Sequence, residues 1–382
     1  MSRLALGEAA RFVNGAAFKP SDWGAEGLPI IRIQNLTGTA DQFNYTTRRV
    51  RPELVVEPGD LLVSWSATLD VYRWSGPRGL LNQHIFKVFP KADVEANYLF
   101  FALKSVLAEL SSKTHGSTMK HVVRGDFEST QIAVPSLAEQ RRIADLLSRA
   151  EGIVRLRREA QRKAAELIPT IFVEIFGDPA TNPKRWPLTR LGDLVKRFEG
   201  GKNIQSGDDD ASEYRILKIS AVTTGRYIEN ESKPVPADFE PAPSYFVRAG
   251  DLLFSRANTE ALVGATAMVE STNGKTLLPD KLWRLVWGAG APVTSHFMLH
   301  LLQQPSTRAM LSRIASGTGG SMKNISQAKL KELRLPLPPL ELQHAFDAKV
   351  AAAQGMAKLQ VTALAKAQAA FDALLHRAFA VD

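Results

Sequence analysis

Apolar and polar residues alternate along LPIIRIQNL (28–36) and again along YRILKISAV (214–222), the period of a strand with one buried face. VEPGDLLVSW (56–65) and VRAGDLLFSR (247–256) each place a glycine-containing turn before a largely apolar strand. LLNQHIFKVF (80–89) parallels LLPDKLWRLV (277–286), and YLFFALKS (98–105) parallels FMLHLLQQ (297–304), the latter pair reading as short helices. LGE at 6–8 has its counterpart in LGD at 191–193. The chain therefore states one plan twice.

Further along, the two statements fall into a fixed register. Met119 and Met322 stand 203 positions apart, and the same offset pairs Lys120 with Lys323, His121 with Asn324, Phe127 with Leu330, Pro135 with Pro338 and Gln140 with Gln343. It holds without a gap to Phe172 on Leu375 and Phe176 on Phe379. Each copy reads as an α+β globular part followed by a long helix. The first helix begins after Pro135 and Ser136 and is broken by GDPATNP (177–183); the second begins after Pro338 and Pro339. Forty helical residues span about 60 Å. Ile143, Leu146, Ala150, Ile153, Ala160, Ala164, Leu167 and Ile171 follow a three-four rhythm in the first helix, an apolar seam along one side. Phe346, Val350, Ala353, Met356, Leu364, Ala367, Phe371 and Leu374 form a less regular seam in the second. Single helices of this length are marginal in water, so the two are expected to pack on each other, antiparallel if the copies are related by an approximate two-fold axis. Pro169, which lacks an N–H, is expected to bend or interrupt the first helix. Gly355 leaves the unbroken length of the second open.

Composition narrows the class. The 382 residues are 45% hydrophobic and include no cysteine, which excludes disulfides, thiolate-bound zinc and a cysteine nucleophile. No run of eighteen apolar residues predicts a membrane span, and the opening MSRLALGEAARFVNG lacks the pattern of a secretory leader; a cytoplasmic protein is expected. The net charge of +9 favours a polyanionic partner.

Catalytic chemistry is sparse. GDPATNPKRW (177–186) lacks the second proline and the aromatic of an adenine methyltransferase motif, and reads as a helix terminator and linker. SGTGGSMK (316–323) is not the phosphate-binding GxxxxGK[ST] pattern. SGDDDASE (206–213) reads as a solvated loop, and the seven histidines show no metal-ligand spacing; His296 and His300 lie four apart without the HExxH glutamate. No cofactor and no metal are expected.

The helical parts repeat closely, whereas the globular parts share a plan and differ in their polar letters. Two unequal heads in one chain suit the reading of an asymmetric, bipartite target, and duplex DNA repeats every ~34 Å, a distance two modules can span. Candidate DNA contacts lie at strand ends and loops: Arg32, Gln34 and Asn35 against Lys218 and Ser220; Ser64, Trp65 and Ser66 against Arg256 and Asn258; Gln83 and His84 against Lys281. Lys120 and Lys323, each beside a glycine/serine loop, are expected to anchor phosphates, with Asn324 following. Trp283 and Trp287 are expected in the core.

"GDLLVSW", "LLNQHIFKV", "GSTMKHV", "VPSLAEQRRIADLL" and "FVEIFGDP", with their second set "AGDLLFSR", "GTGGSMKNI", "LPLPPLELQ" and "LLHRAF", closely resemble the specificity subunit of bacterial Type I restriction–modification enzymes, over essentially the whole chain. The resemblance implies two target-recognition domains, at 1–136 and 188–338, with a linker at 177–187. It implies that long helices at 137–176 and 339–382 pack as an antiparallel coiled coil that acts as a spacer. It further implies a subunit without catalytic activity that binds double-stranded DNA. Such a subunit carries DNA adenine methyltransferase subunits and, through the complex, a restriction and translocase subunit. Two other readings stay open at this point: a stand-alone DNA-modifying enzyme with an unrecognised site, and a duplicated protein-interaction scaffold.

Overall fold

The structure, a computed structural model, describes residues 2–66, 68–113, 124–207, 212–317 and 322–379. The chain divides into two compact units, Met1–Glu159 with Val361–Asp382, and Ala160–Gln360. Each unit contains one globular head and a part of each long helix.

In the first unit, strands Ala10–Asn14, Ile85–Pro90, Leu61–Ser66 and Thr68–Arg73 form an antiparallel four-stranded sheet in that order. A smaller mixed sheet runs Asn44–Thr46, Leu28–Ile31, Gly79–Leu81, Val55–Val56, with a parallel pairing of Ile30 to Leu80. Ser2–Ala5 pairs antiparallel with Gln131–Val134, joining the two ends of the head. The second unit repeats the scheme. Val195–Glu199, Leu282–Trp287, Leu252–Ser255 and Thr266–Met268 make the larger sheet. Ser232–Pro234, Arg215–Leu217 and Thr276–Leu277 make the smaller one, again with a parallel pair, and Leu188–Arg190 closes on Arg334–Pro336.

The near-continuous apolar run after each GD turn is explained by what covers the sheet. Side chains alternate across a strand, and both faces are buried. Leu61 and Val63 enter a core with helix Ala96–Lys113, while Leu62 faces Ile31, Val56, Trp74 and Leu81. Leu252 and Phe254 join the core containing Phe297 and Leu301, while Leu253 faces Val222, Val247 and Leu278. The turns themselves match. Gly59 and Gly250 take positive φ, and the following aspartate accepts from the backbone three residues back, Glu57 N to Asp60 at 2.6 Å and Arg248 N to Asp251 at 2.8 Å. A buried cation on the neighbouring strand then holds that carboxylate: Lys87 Nζ lies 2.5 Å from Asp60, and Arg284 Nη2 lies 2.6 Å from Asp251.

The long helices run Leu137–Phe176 and Leu340–Phe379. Within the first unit they are antiparallel. The first leaves the head at Leu137, and the second returns to it with Phe379 5.3 Å from Tyr98; away from the head, Arg158 donates to Gln368 at 2.8 Å. Within the second unit Phe172, Phe176, Phe297 and Phe346 form one aromatic cluster at centroid distances of 4.9–5.8 Å, offset and edge contacts of the favourable kind.

The helices depart from expectation in several places and settle the question left open at Gly355. Pro169 lies inside an uninterrupted helix: Ile168, Ile171 and Phe172 are packed in the core around it, and that burial outweighs one missing hydrogen bond. The second helix passes through Gly355. The seams sit partly on other residues. Leu146, Ile153 and Met356 are 46%, 52% and 49% exposed, and the buried positions of the first helix here are Ala144, Leu147 and Val154. A three-four rhythm admits two phases one residue apart; near the start of the first helix the core takes the other one, whereas Ala164, Phe346, Val350, Ala353 and Phe371 are buried in the expected seams. The helix beginning near 98 is also longer than expected, Ala96–Lys113.

Candidate nucleic-acid interface

In the second head, the strand after the GD turn ends at Ser255, and the chain continues into a two-residue ribbon. Ala257 pairs with Asn324 and Asn258 with Lys323. Ile325 N donates to Arg256 O at 2.8 Å and Arg256 N donates to Lys281 O at 3.1 Å. These backbone bonds gather Arg256, Asn258, Lys281, Lys323 and Asn324 at one place, from three segments far apart in sequence. Arg256 is oriented by Asp280, whose carbonyl accepts from Nε at 2.8 Å and whose carboxylate lies 3.6 Å from Nη2, and its guanidinium lies 5.6 Å from the Trp283 ring. Asn258 Oδ1 accepts from Thr259 N at 2.8 Å, leaving Nδ2 shielded from solvent with no hydrogen-bond partner. A shielded donor left unmade costs free energy, and a polar partner entering the ribbon would satisfy it. Lys323, Asn324 and Lys281 are half-buried, with their backbones fixed by the ribbon.

The first head builds the corresponding place from other residues. Trp65 N donates to His84 O at 3.2 Å, and the two rings meet edge-on at 4.9 Å. Trp65 also stacks on Phe86 at 5.7 Å and donates from Nε1 to Asn14 at 3.1 Å. His84 has φ of 71°, a left-handed conformation uncommon for a residue with a side chain and a frequent mark of functional sites. Its Nδ1 is shielded and unpartnered. Gln83 is exposed beside it and Ser66 half-buried. Lys120 lies outside the described residues.

Some sequence candidates are spent on the fold. Ser64 is fully buried, its hydroxyl donating to Thr68 O at 2.5 Å. Asn35 accepts from Arg32 N at 3.0 Å and donates to Ala40 O and Gln42 O at 3.1 Å each, which ties a loop together. Ser220 donates to Glu231 at 2.6 Å. Each polar group already has its partner inside the head, so these three are removed from the candidate surface. Gln34 and Lys218 are exposed at the ends of the smaller sheets, and Arg32 lies with its guanidinium 4.3 Å from the Trp23 ring. Trp283 is buried, and Trp287 is partly buried with its Nε1 donating to Ser295 at 2.8 Å.

Sequence reasoning missed the glycines that let these segments approach. A Cβ on Gly15 would stand 2.0 Å from Asn82 O, and one on Gly201 1.7 Å from Leu278 O, so only glycine fits against the QH and DK turns. The flagged pair His296 and His300 has a structural setting. The His300 ring packs against Phe346 at 5.6 Å, and burial, with His296 nearby, pushes its pKa down to about 4. The GDPATNP segment is a built turn, with Asp178 accepting from Ala180 N at 2.8 Å and Asn182 donating to Trp186 O at 2.8 Å.

The fold and the interface define an internally duplicated α+β protein whose two heads share a skeleton and present different polar residues at the same place. Residues 4–165 match the family described as the Type I restriction modification DNA specificity domain. The chain is 24% identical over 363 residues to the Type I restriction enzyme MjaVIII specificity subunit of Methanocaldococcus jannaschii, covering 89% of this chain and 83% of that one. It is 23% identical to the EcoBI specificity subunit of Escherichia coli, covering 99% and 85%. Among solved structures, the fold matches the S subunit of the M. genitalium Type I system with a TM-score of 0.56 at 13% identity, covering 100% of this chain and 96% of that one. It also matches a chain from a structure of the assembly and conformational transition of the type I R-M system, at 0.59 and 20%, covering 99% and 97%. Over most of its length the chain is thus similar to specificity subunits of Type I restriction–modification systems, and residues 4–165 match the DNA specificity domain of that family.

Proposed function

We propose that this chain is the non-catalytic, DNA-reading subunit of a Type I restriction–modification complex. The head within 1–136 reads one half of a bipartite, asymmetric double-stranded target, and the head within 188–338 reads the other. The helices at 137–176 and 339–382 space the heads and carry the adenine methyltransferase subunits, and through the complex the restriction subunit is brought to the same site. It works in the cytoplasm, where such a complex meets DNA; no helix among the described residues is long and apolar enough to cross a membrane.

The observation that carries this reading is divergence of the polar residues at matching places on a repeated skeleton. The buried ion pairs Lys87–Asp60 and Arg284–Asp251 recur, whereas Trp65 is replaced by Arg256, Gln83 by Asp280 and His84 by Lys281. Identical scaffolds with unequal donors and acceptors are what two different base sequences require, because bases are told apart by their groove-edge donor and acceptor patterns. The net charge of +9 supplies the sequence-independent attraction to phosphate.

The test is to express the chain with its methyltransferase partner and map methylated adenines across a genome. One bipartite, asymmetric motif is expected. Methylation without sequence preference, or turnover by this chain free of partners, contradicts the reading.

A further inference from the structure

The first head carries an arginine whose setting has no counterpart among the described residues of the second. Gly24 N donates to Tyr45 O at 2.9 Å, so the segment bearing Trp23 lies along strand Asn44–Thr46. Trp23 and Tyr45 are each 38% exposed, whereas most other aromatics of this head are packed inside. The Arg32 guanidinium lies 4.3 Å from the Trp23 ring centroid. With the Asn44 amide oxygen turned toward it, Nη2 and Nη1 donate at 3.1 and 3.3 Å. Arg32 Nε is shielded and unpartnered, and no carboxylate pairs with this guanidinium among the described residues. Its neighbour Arg48, by contrast, is committed to Asp22 at 3.2 Å and to Ala17 O at 2.8 Å.

The second head is built differently here. Lys218 occupies the place of Arg32 before the following helical turn. By strand register Pro234 stands where Tyr45 stands, paired with Arg215, which donates to Ser232 at 3.1 Å. Among the described residues, a stacked guanidinium fork held by an amide is thus found in the first head alone.

Stacking on an indole and a single neutral acceptor fix the plane of the fork without neutralising its charge. The two terminal nitrogens then present parallel donors, which match the O6 and N7 acceptors of guanine in the major groove. We propose that Arg32, positioned by Trp23 and Asn44, reads a guanine in the half-target of the first head, exchanging the Asn44 oxygen for the base edge. The Trp23 ring forms the apolar floor under the guanidinium. This inference rests on the reading of the chain as a DNA-specificity subunit.

The experiment uses the complete complex of this chain with its methyltransferase partner and maps the methylated motif for each variant. Arg32→Ala is expected to abolish the requirement for guanine at one position of one half-target, with discrimination falling on the order of tenfold to a hundredfold, while the other half is unchanged. Arg32→Lys keeps the charge but not the fork and is expected to lose the same guanine. Trp23→Ala weakens discrimination at that same position, and Trp23→Phe retains most of it; thermal midpoints of all four variants verify folding. A first-head half-target without guanine overturns the proposal. So does an Arg32→Ala variant that binds more weakly at every position with its motif intact and its salt dependence reduced, since that is the behaviour of a phosphate anchor. If the unaltered complex yields no bipartite motif, the reading beneath the proposal fails instead, and the unaltered complex is therefore mapped first.

Discussion

Gln140 and Gln343, 203 positions apart in sequence, make the same three hydrogen bonds from fully buried sites. Gln140 accepts from Glu95 N at 2.8 Å and donates to Asp93 O and Pro135 O at 2.9 and 2.8 Å. Gln343 accepts from Thr294 N at 2.9 Å and donates to Pro292 O and Pro338 O at 3.0 and 2.9 Å. In each unit one amide stitches the first turn of a long helix to the segment that begins a helix of the head. Replacing either glutamine by alanine leaves a backbone N–H and two carbonyls without partners, at a cost of about 2–4 kcal/mol. Urea unfolding should show that loss for Gln140→Ala and for Gln343→Ala, and glutamate, which cannot donate to the two carbonyls when ionised, should not rescue either. A loss below about 0.5 kcal/mol would mean the stitches are incidental.

Glycines divide into two kinds with opposite expected outcomes. Gly152 and Gly355 lie within the long helices, and a Cβ at either meets nothing within 4 Å. Alanine there should stabilise the chain by about 0.5–1 kcal/mol, since glycine loses more backbone freedom in a helix. Gly15 and Gly201, whose added Cβ would strike a carbonyl at 2.0 and 1.7 Å, should be destabilised by the same substitution. Thermal midpoints that move in one direction for all four would contradict the close approach of the turns.

Lys323 is the described phosphate candidate, on the ribbon beside Asn258. Lys323→Ala should weaken DNA binding by the assembled complex at every sequence and lower the slope of log affinity against log salt by about one. The recognised motif should stay the same. A changed motif with an unchanged slope would move Lys323 from anchor to reader.

Much of this was legible in sequence because it depends on local periodicity and repeated punctuation. The GD turns before apolar strands, the proline pairs before the long helices and the terminator at Gly177 all follow from residue type. What escaped depends on three-dimensional neighbours. Asn35, Ser64 and Ser220 look like free donors in the sequence, yet each finds an internal acceptor or donor. Leu146 and Ile153 fit the apolar rhythm, but the core selects Ala144, Leu147 and Val154. Pro169 carries a breaker's chemistry and is overruled by the packing of Ile168, Ile171 and Phe172. The juxtaposition of Arg256 with Lys323 and Asn324 joins strand end and loop across a sequence gap that no spacing rule bridges.

The most direct measurement of the central claim is a head exchange. The first head, 1–136, is replaced by that of a related specificity subunit, and the methylated motif of the reassembled complex is mapped. One half of the bipartite motif should change to that of the donor, while the other half stays as it is. Alteration of both halves, or of neither, would contradict two independent readers on one repeated scaffold.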